Sequence, residues 1–172
     1  MRKATVVALV VLAAAAAAGW WGWTRLGSGE RRATVRIEWS GSASGSARLP
    51  GELAWCPITR MATLSAISND TGLLVALHER DSLAPGPHPV VSPAIQGASP
   101  LPNATAAFRW VLDTTRIEGY ASVSGMVDID AVGATADGSM QLRLRKPSTL
   151  DTLLVRADFR GLPIVTTAVG CP

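Results

Sequence analysis

Apolar and polar side chains alternate along much of the chain from residue 33 onward, and this period of two constrains the fold more than any other feature. In ATVRIEW, Val35, Ile37 and Trp39 point one way, whereas the residues between them are polar. Successive side chains of a β-strand point to opposite faces, so such alternation is typical of strands with one buried face. No convincing helical periodicity follows residue 24. We therefore predict a mainly β domain.

The same pattern recurs in segments separated by glycine, proline and other turn residues. SMQLRLR alternates as clearly as the first segment, and TLSAI and LLVALH are joined by SNDTG, a typical hairpin turn. The other alternating segments are ATAAFRWVL, GMVDID and LLVRADF. About seven to nine short strands, spaced by about ten residues, predict an antiparallel β-sandwich or a partly open barrel. We assign this domain to residues 33–172 and a linker to residues 24–32.

The N-terminal segment carries Arg2 and Lys3, followed by an uncharged run from Ala4 to Trp23. One interpretation is a cleaved signal peptide, with Ala16–Ala18 as its A-x-A cleavage site. The other is a retained anchor, because a helix of 20 residues spans about 30 Å, the thickness of the hydrocarbon layer of a bilayer. We favour an anchor over residues 1–23, because cleavage after Ala18 would leave three tryptophans on a bare N-terminus.

Two groups of residues characterise the predicted anchor. An aromatic belt and basic headgroup contacts belong at the end of such a helix, and the residues at this position are Trp20, Trp21, Trp23 and Arg25. Small residues let a neighbouring helix approach closely, and the predicted helix-packing face consists of Ala13, Ala14, Ala16 and Ala17. The anchor contains no histidine, the usual ligand of a chlorophyll or haem, and we predict no cofactor.

Two cysteines, Cys56 and Cys171, lie far apart in the sequence. In an exported protein an even pair favours a disulfide, which here would close a loop of over 100 residues. The alternative is two unrelated buried thiols. Because disulfides persist outside the cytoplasm, we predict a single-pass protein of the bacterial inner membrane whose C-terminal domain lies in the periplasm.

A proline-rich segment, Asp81–Asn103, is the longest irregular region of the domain. Its six prolines predict a stiff, exposed segment that cannot lie in a central strand. Long loops on compact domains are often binding elements, so one interpretation is a ligand-binding loop. The other is a crossover between strands that passes over one end of the domain.

Patterns that indicate catalysis or metal binding are weak. His78 and His88 have no second histidine or cysteine at metal-ligand spacing, and we expect His78 to be partly buried and His88 to be exposed. The segment DIDAVGATADG lacks the glutamate that closes an EF-hand loop. It is either a polar turn or a looser calcium site from Asp128, Asp130 and Asp137. Walker, dinucleotide-binding and G-x-S-x-G sequences are absent, and we predict neither catalytic residues nor a metal.

The distribution of charge argues against nucleic acid as a partner. From Thr24 onward the chain has 14 basic and 13 acidic residues, and they are interspersed. Such a surface does not form the basic stripe that binds phosphates. Of the 16 basic residues 14 are arginine, a residue suited to planar hydrogen-bonded contacts at protein interfaces.

Two resemblances accompany these patterns. The succession DSLAPGPHPV, GYASVSGMVDID, GSMQLRLR and LLVRADFRGLPI resembles small uncharacterised β-sandwich domains of bacterial envelope proteins, over residues 70–165. It implies a fold and no activity. Through MRKATVVALVVL and GWWGWTR, the layout of anchor and domain resembles the accessory extrinsic subunits that brace some bacterial photosynthetic reaction-centre and light-harvesting complexes. That resemblance implies a brace that ligates no pigment through histidine.

These observations favour a non-enzymatic structural subunit that stabilises a membrane protein complex on its periplasmic face. Its expected partners are the lipid bilayer and the transmembrane helices and periplasmic surfaces of that complex. The alternative is a free-standing envelope module that binds a ligand through residues 81–103.

Overall fold

The computed structural model describes residues 33–112, 116–149, 151–167 and 171. The described residues belong to one compact unit, Arg32–Pro172. The predicted anchor, with its interface and packing residues, and the predicted linker lie outside the described residues. Within the described ranges, no helix is long and apolar enough to cross a membrane.

The described residues form nine strands and one short 3₁₀ helix, which confirms the prediction of a mainly β domain. The alternating segments of the sequence all fall in strands, and the SNDTG turn joins the third strand to the fourth. The strands are β1 Thr34–Gly41, β2 Gly45–Cys56, β3 Met61–Ile67, β4 Thr71–His78, β5 Gly86–Val90, β6 Asn103–Val111, β7 Ile117–Val132, β8 Thr135–Arg145 and β9 Thr152–Thr166, and the 3₁₀ helix is Pro93–Ala98.

These strands form a single sheet that closes into a barrel in the order β1-β2-β3-β4-β6-β5-β7-β8-β9. β1 closes the barrel by pairing with β2 on one side and β9 on the other, so that Ile37 lies opposite both Ala47 and Ala157. Of the two predicted architectures, the barrel describes this topology and the two-layered sandwich does not. The sheet is closed rather than partly open.

The sheet is mixed, which corrects the prediction of a purely antiparallel one. β2 pairs with β9 in parallel over Leu53–Trp55, and β5 pairs with β6 in parallel at Val90. Both parallel contacts arise because long strands serve two neighbours. β7 pairs first with β6 and then with β5, and β9 pairs first with β1 and then with β2.

The proline-rich segment contributes β5 to the sheet between β6 and β7, so the prediction that it cannot lie in a central strand is wrong. The Val91 N–H donates to the Ala104 carbonyl of β6, so the main-chain N–H and C=O groups of the odd-numbered residues of β5 are directed toward β6. The nitrogen atoms of Pro87 and Pro89, which carry no hydrogen, are therefore on the side of β6, where β5 pairs only at Val90. The main-chain groups directed toward β7 belong to the residues that alternate with the prolines.

The interior of the barrel holds the apolar residues of the alternating pattern, and Phe108 and Phe159 are the largest that are fully buried. Because neighbouring strands are antiparallel, the β1–β2, β3–β4 and β8–β9 turns lie at one end, which we call the hairpin end. Aromatic side chains meet there, and the Trp110 ring stacks on the Tyr120 ring at a centroid distance of 5.2 Å. The Tyr120 hydroxyl is 3.0 Å from the Ser42 hydroxyl in the β1–β2 turn, which links this cluster to the turn.

The predicted disulfide between Cys56 and Cys171 is confirmed, with a Cα–Cα distance of 5.7 Å. It joins the C-terminal part of the chain to the end of β2, at the end of the barrel opposite the hairpin turns. The Thr167 N–H donates to the Trp55 carbonyl and continues the parallel contact of β2 and β9 toward this bond. The disulfide therefore fixes the place where β2 and β9 meet.

We predict that Cys56→Ala with Cys171→Ala lowers the free energy of unfolding by roughly 4 to 5 kcal/mol. The disulfide spans 115 residues, and a loop of this length restricts the unfolded chain by about that amount in the chain-entropy description. Urea denaturation of both proteins, with and without reductant, measures the change. The double variant should not respond to reductant, and an unchanged wild-type midpoint under reducing conditions would contradict the prediction.

We also predict that Gly125→Ala destabilises the barrel by about 1 to 3 kcal/mol. Gly125 has a φ of 145°, and a Cβ at this position would lie 2.2 Å from the Gln141 carbonyl oxygen of β8. Gly119→Ala is the matched control on the same strand, because a Cβ there meets no atom within 4 Å. Equal denaturation midpoints for the two variants would show that β7 and β8 are not in close contact at Gly125.

Candidate functional site

A buried histidine–glutamate pair lies in the barrel interior near the disulfide end. His88 of β5 and Glu79, which follows β4, are 1% and 6% exposed, and His88 Nε2 lies 2.7 Å from Glu79 Oε1. His88 Nδ1 lies 3.0 Å from the Gly86 carbonyl oxygen, so both ring nitrogens are within hydrogen-bond distance of an oxygen atom.

The burial of His88 corrects the prediction that this residue is exposed. Its two flanking prolines point outward on β5, so alternation turns the imidazole inward. Both members of the pair are shielded from solvent, and the pair joins the end of β4 to β5, which are separated by β6 in the sheet. This geometry fits a structural link better than a site that meets a substrate.

An apolar groove with a volume of about 470 Å³ lies on the outside of the barrel, over β4, β6 and β7. We call it the outer groove. Ile67 and Leu74, which are 46% and 44% exposed, and Pro147 form its rims. Small outward-facing residues form its floor, and these are Gly72, Ala107, Gly119 and Ala121.

One cation, Arg109, lies in the outer groove. The strand register places Gly72 of β4 and Gly119 of β7 directly opposite Arg109. A Cβ at Gly72 would lie 3.5 Å from Arg109 Nε, so the arginine side chain extends over this glycine, whereas the space at Gly119 is open. Among the residues that the structure describes, Arg109 has no ion-pair partner.

A second surface, the arginine face, covers the outside of the adjacent strands β2, β1, β9 and β8. Six of the ten arginines in the described part of the chain are exposed on it, and they are Arg36, Arg48, Arg143, Arg145, Arg156 and Arg160. Within the described ranges, the only ion pair that any of the six makes is the exposed contact between Arg36 and Glu38, at 2.9 Å. Arg36 and Arg48 lie directly opposite each other across β1 and β2.

A third feature, the proline depression, lies outside β5, with a volume of about 400 Å³. Four of its nine lining residues are prolines of the proline-rich segment, and these are Pro87, Pro89, Pro100 and Pro102. Asn103 borders it and donates through Nδ2 to the carbonyl groups of Ser99 and Pro100. The Asn103 Oδ1 atom is buried and has no hydrogen-bond partner among the described residues.

The structure separates the residues of the looser calcium site that the sequence left open. Asp130 and Asp137 border a polar hollow of about 730 Å³ together with Asp158, whereas Asp128 is not among its lining residues. Asp137 accepts a hydrogen bond from the Gly161 N–H at the place where the register of β8 and β9 shifts. In the described part of the chain, no group of three or more potential ligands could hold a metal ion.

His78 is partly buried, as expected, and burial lowers its pKa from the ordinary value. Sequence reasoning did not identify Glu79, nor the three residues Gly72, Arg109 and Gly119 that the register aligns across β4, β6 and β7. The sequence does contain a pattern that indicates the burial of Glu79, because this residue continues the odd-numbered inward positions of β4 after Leu77. No local pattern indicates the alignment of the other three, since it depends on the register of three strands.

We predict that Glu79→Ala lowers the free energy of unfolding by about 3 to 5 kcal/mol, because it leaves the buried His88 without its partner. Glu38→Ala is the matched control, since it removes an exposed ion pair worth at most about 1 kcal/mol. Urea denaturation of both variants measures the difference. A loss for Glu79→Ala as small as that for Glu38→Ala would show that the pair does not link β4 and β5.

Comparisons with protein-family models, with curated proteins and with solved structures find no match to this chain. The three surfaces on the outside of the barrel are therefore the features from which its function is inferred.

Proposed function

We propose that this chain is a non-enzymatic structural subunit that holds its barrel against the extracytoplasmic face of a membrane protein complex. The arginine face carries the proposal. It is a broad, exposed surface on four adjacent strands, and arginine is among the residues that contribute most to binding at protein interfaces.

The charges on this face are mixed, and several of its arginines have no partner on the barrel. Arg36 faces the like charge of Arg48 across β1 and β2, whereas across β1 and β9 Arg36 faces Asp158 and Arg156 faces Glu38. Arg143, Arg145, Arg156 and Arg160 have no ion-pair partner among the described residues. Guanidinium groups without partners on the barrel are available to the carboxylates and carbonyl oxygens of another protein.

Two further observations fit this function. The disulfide fits an oxidising compartment outside the cytoplasm. The sequence predicts an anchor at residues 1–23, and attachment through both an anchor and a domain raises the effective concentration of the second contact. In the most specific form of the proposal, the complex is a photosynthetic reaction centre with its light-harvesting antenna, and this form depends only on the resemblance of the N-terminal segment and layout.

Purification of the full chain from its native membranes in mild detergent tests the proposal. We expect a large complex to co-purify in stoichiometric amount, and Arg48→Gln or Arg156→Gln to reduce its yield at least about fivefold. Arg109→Gln is the matched control, because it removes an exposed cation outside the arginine face. Near-infrared absorption by the purified complex would identify it as a photosystem.

Isolation of the chain as a monomer, in wild-type and variant forms alike, would contradict this function. The second candidate, a free-standing module that binds a ligand, would then be preferred. The proline depression favours it, because it is a mainly apolar hollow bordered by Asn103, whose side-chain oxygen has no partner among the described residues. In that case a monomer that binds a small molecule through residues 81–103 is expected.

A further inference from the structure

We infer that the outer groove binds one aliphatic chain that ends in a carboxylate, as in a long-chain fatty acid. This ligand is separate from the proposed protein partner. The outer groove lies on β4, β6 and β7, whereas the arginine face lies on β2, β1, β9 and β8.

The shape of the outer groove suits a narrow chain. Two rows of residues cross the groove, and in each row the register aligns neighbouring strands. One row consists of Gly72, Arg109 and Gly119, and the other runs from Leu74 on the rim to Ala107 and Ala121 on the floor. Small residues in these rows leave space above the sheet, and the volume of about 470 Å³ falls in the range of small-molecule sites.

The charge in the outer groove suits an anionic end group. Arg109 is the cation among the residues that line the groove. It has no ion-pair partner among the described residues. A carboxylate beside its guanidinium group would receive charge-assisted hydrogen bonds while its chain covers Gly119 and Ala121.

The backbone of the groove favours an alkyl chain over a peptide. β4 pairs with β3 and β6, and β6 pairs with β4 and β7, so these two strands use their N–H and C=O groups within the sheet, and β7 pairs with β6 from Ile117 and with β8 from Ala121. A peptide in the groove would bury main-chain polar groups without partners, which costs free energy. An alkyl chain has no such groups, and its burial is favourable.

Photolabelling tests this inference. The full chain is reconstituted in nanodiscs of phosphatidylcholine and exposed to a hexadecanoate that carries a diazirine near the end of its chain, and the labelled peptides are identified by mass spectrometry. We expect label on β4, β6 and β7. Unlabelled hexadecanoate should displace it at least about tenfold better than hexadecanol, because the alcohol lacks the charge that pairs with arginine.

Variants of the groove distinguish this site from general contact with lipid. Gly119→Leu should reduce labelling of the groove at least about tenfold, because the new side chain occupies the open space beside Arg109. Gly97→Leu is the matched control, since it also adds a side chain in open space, but in the 3₁₀ helix outside the groove. Arg109→Gln provides a second variant, which keeps the groove open. It should weaken the displacement of the label by hexadecanoate and leave the displacement by hexadecanol unchanged.

Several outcomes would overturn the inference. These are label that is confined to residues 1–32, label on β4, β6 and β7 that Gly119→Leu does not reduce, and equal displacement by hexadecanoate and hexadecanol. The same holds if no label enters the groove and native mass spectrometry shows a dimer that Gly119→Leu dissociates, because the groove would then hold a second copy of the chain. If no complex co-purifies but the groove is still labelled, the proposed function is contradicted and the inference of a fatty-acid site remains.

Discussion

The pairing of β1 with both β2 and β9 is the constraint on which the rest of this structure depends. Without it, β2 and β9 would meet only in their short parallel contact, and most of their length would form free edges. With it, the nine strands of the described residues curve around one core in which Ile37 and Phe159 are fully buried. The parallel contact of β2 with β9 and the disulfide beyond it hold the same junction at the disulfide end of the barrel.

Closure also separates the inward side chains from the surfaces proposed for binding. The apolar inward residues are buried in a common core, and the outward residues of each strand form the surface of the barrel. Here the outside is divided between an arginine face on four strands and an apolar groove on three others. Among the described residues, His88 and Glu79 are the buried basic and acidic ones, and they lie within hydrogen-bond distance of each other. The two proposed binding roles therefore use different outer faces of the barrel.

Much of the fold could be predicted from local patterns. Alternation in ATVRIEW and SMQLRLR correctly indicated β1 and β8, and the SNDTG turn correctly joined β3 to β4, because both signals come from adjacent residues. β5 was not predicted, since prolines normally exclude a central strand. It is accommodated because both prolines face the side on which β5 has almost no pairing. The candidate groove was not predictable either, because Gly72, Arg109 and Gly119 are distant in sequence and meet only through the register of β4, β6 and β7.

The sequence by itself determined the period of two, the strands that follow from it, the excess of arginine over lysine, and a pair of cysteines suited to a disulfide. These properties depend on residue chemistry and on neighbours along the chain. Only the tertiary structure decided that the strands close into one mixed barrel, that His88 meets Glu79, and that two glycines flank Arg109 in an apolar groove. The physical reason is that strand order and register are set by packing between distant segments, and a shift of one residue would turn each side chain to the opposite face.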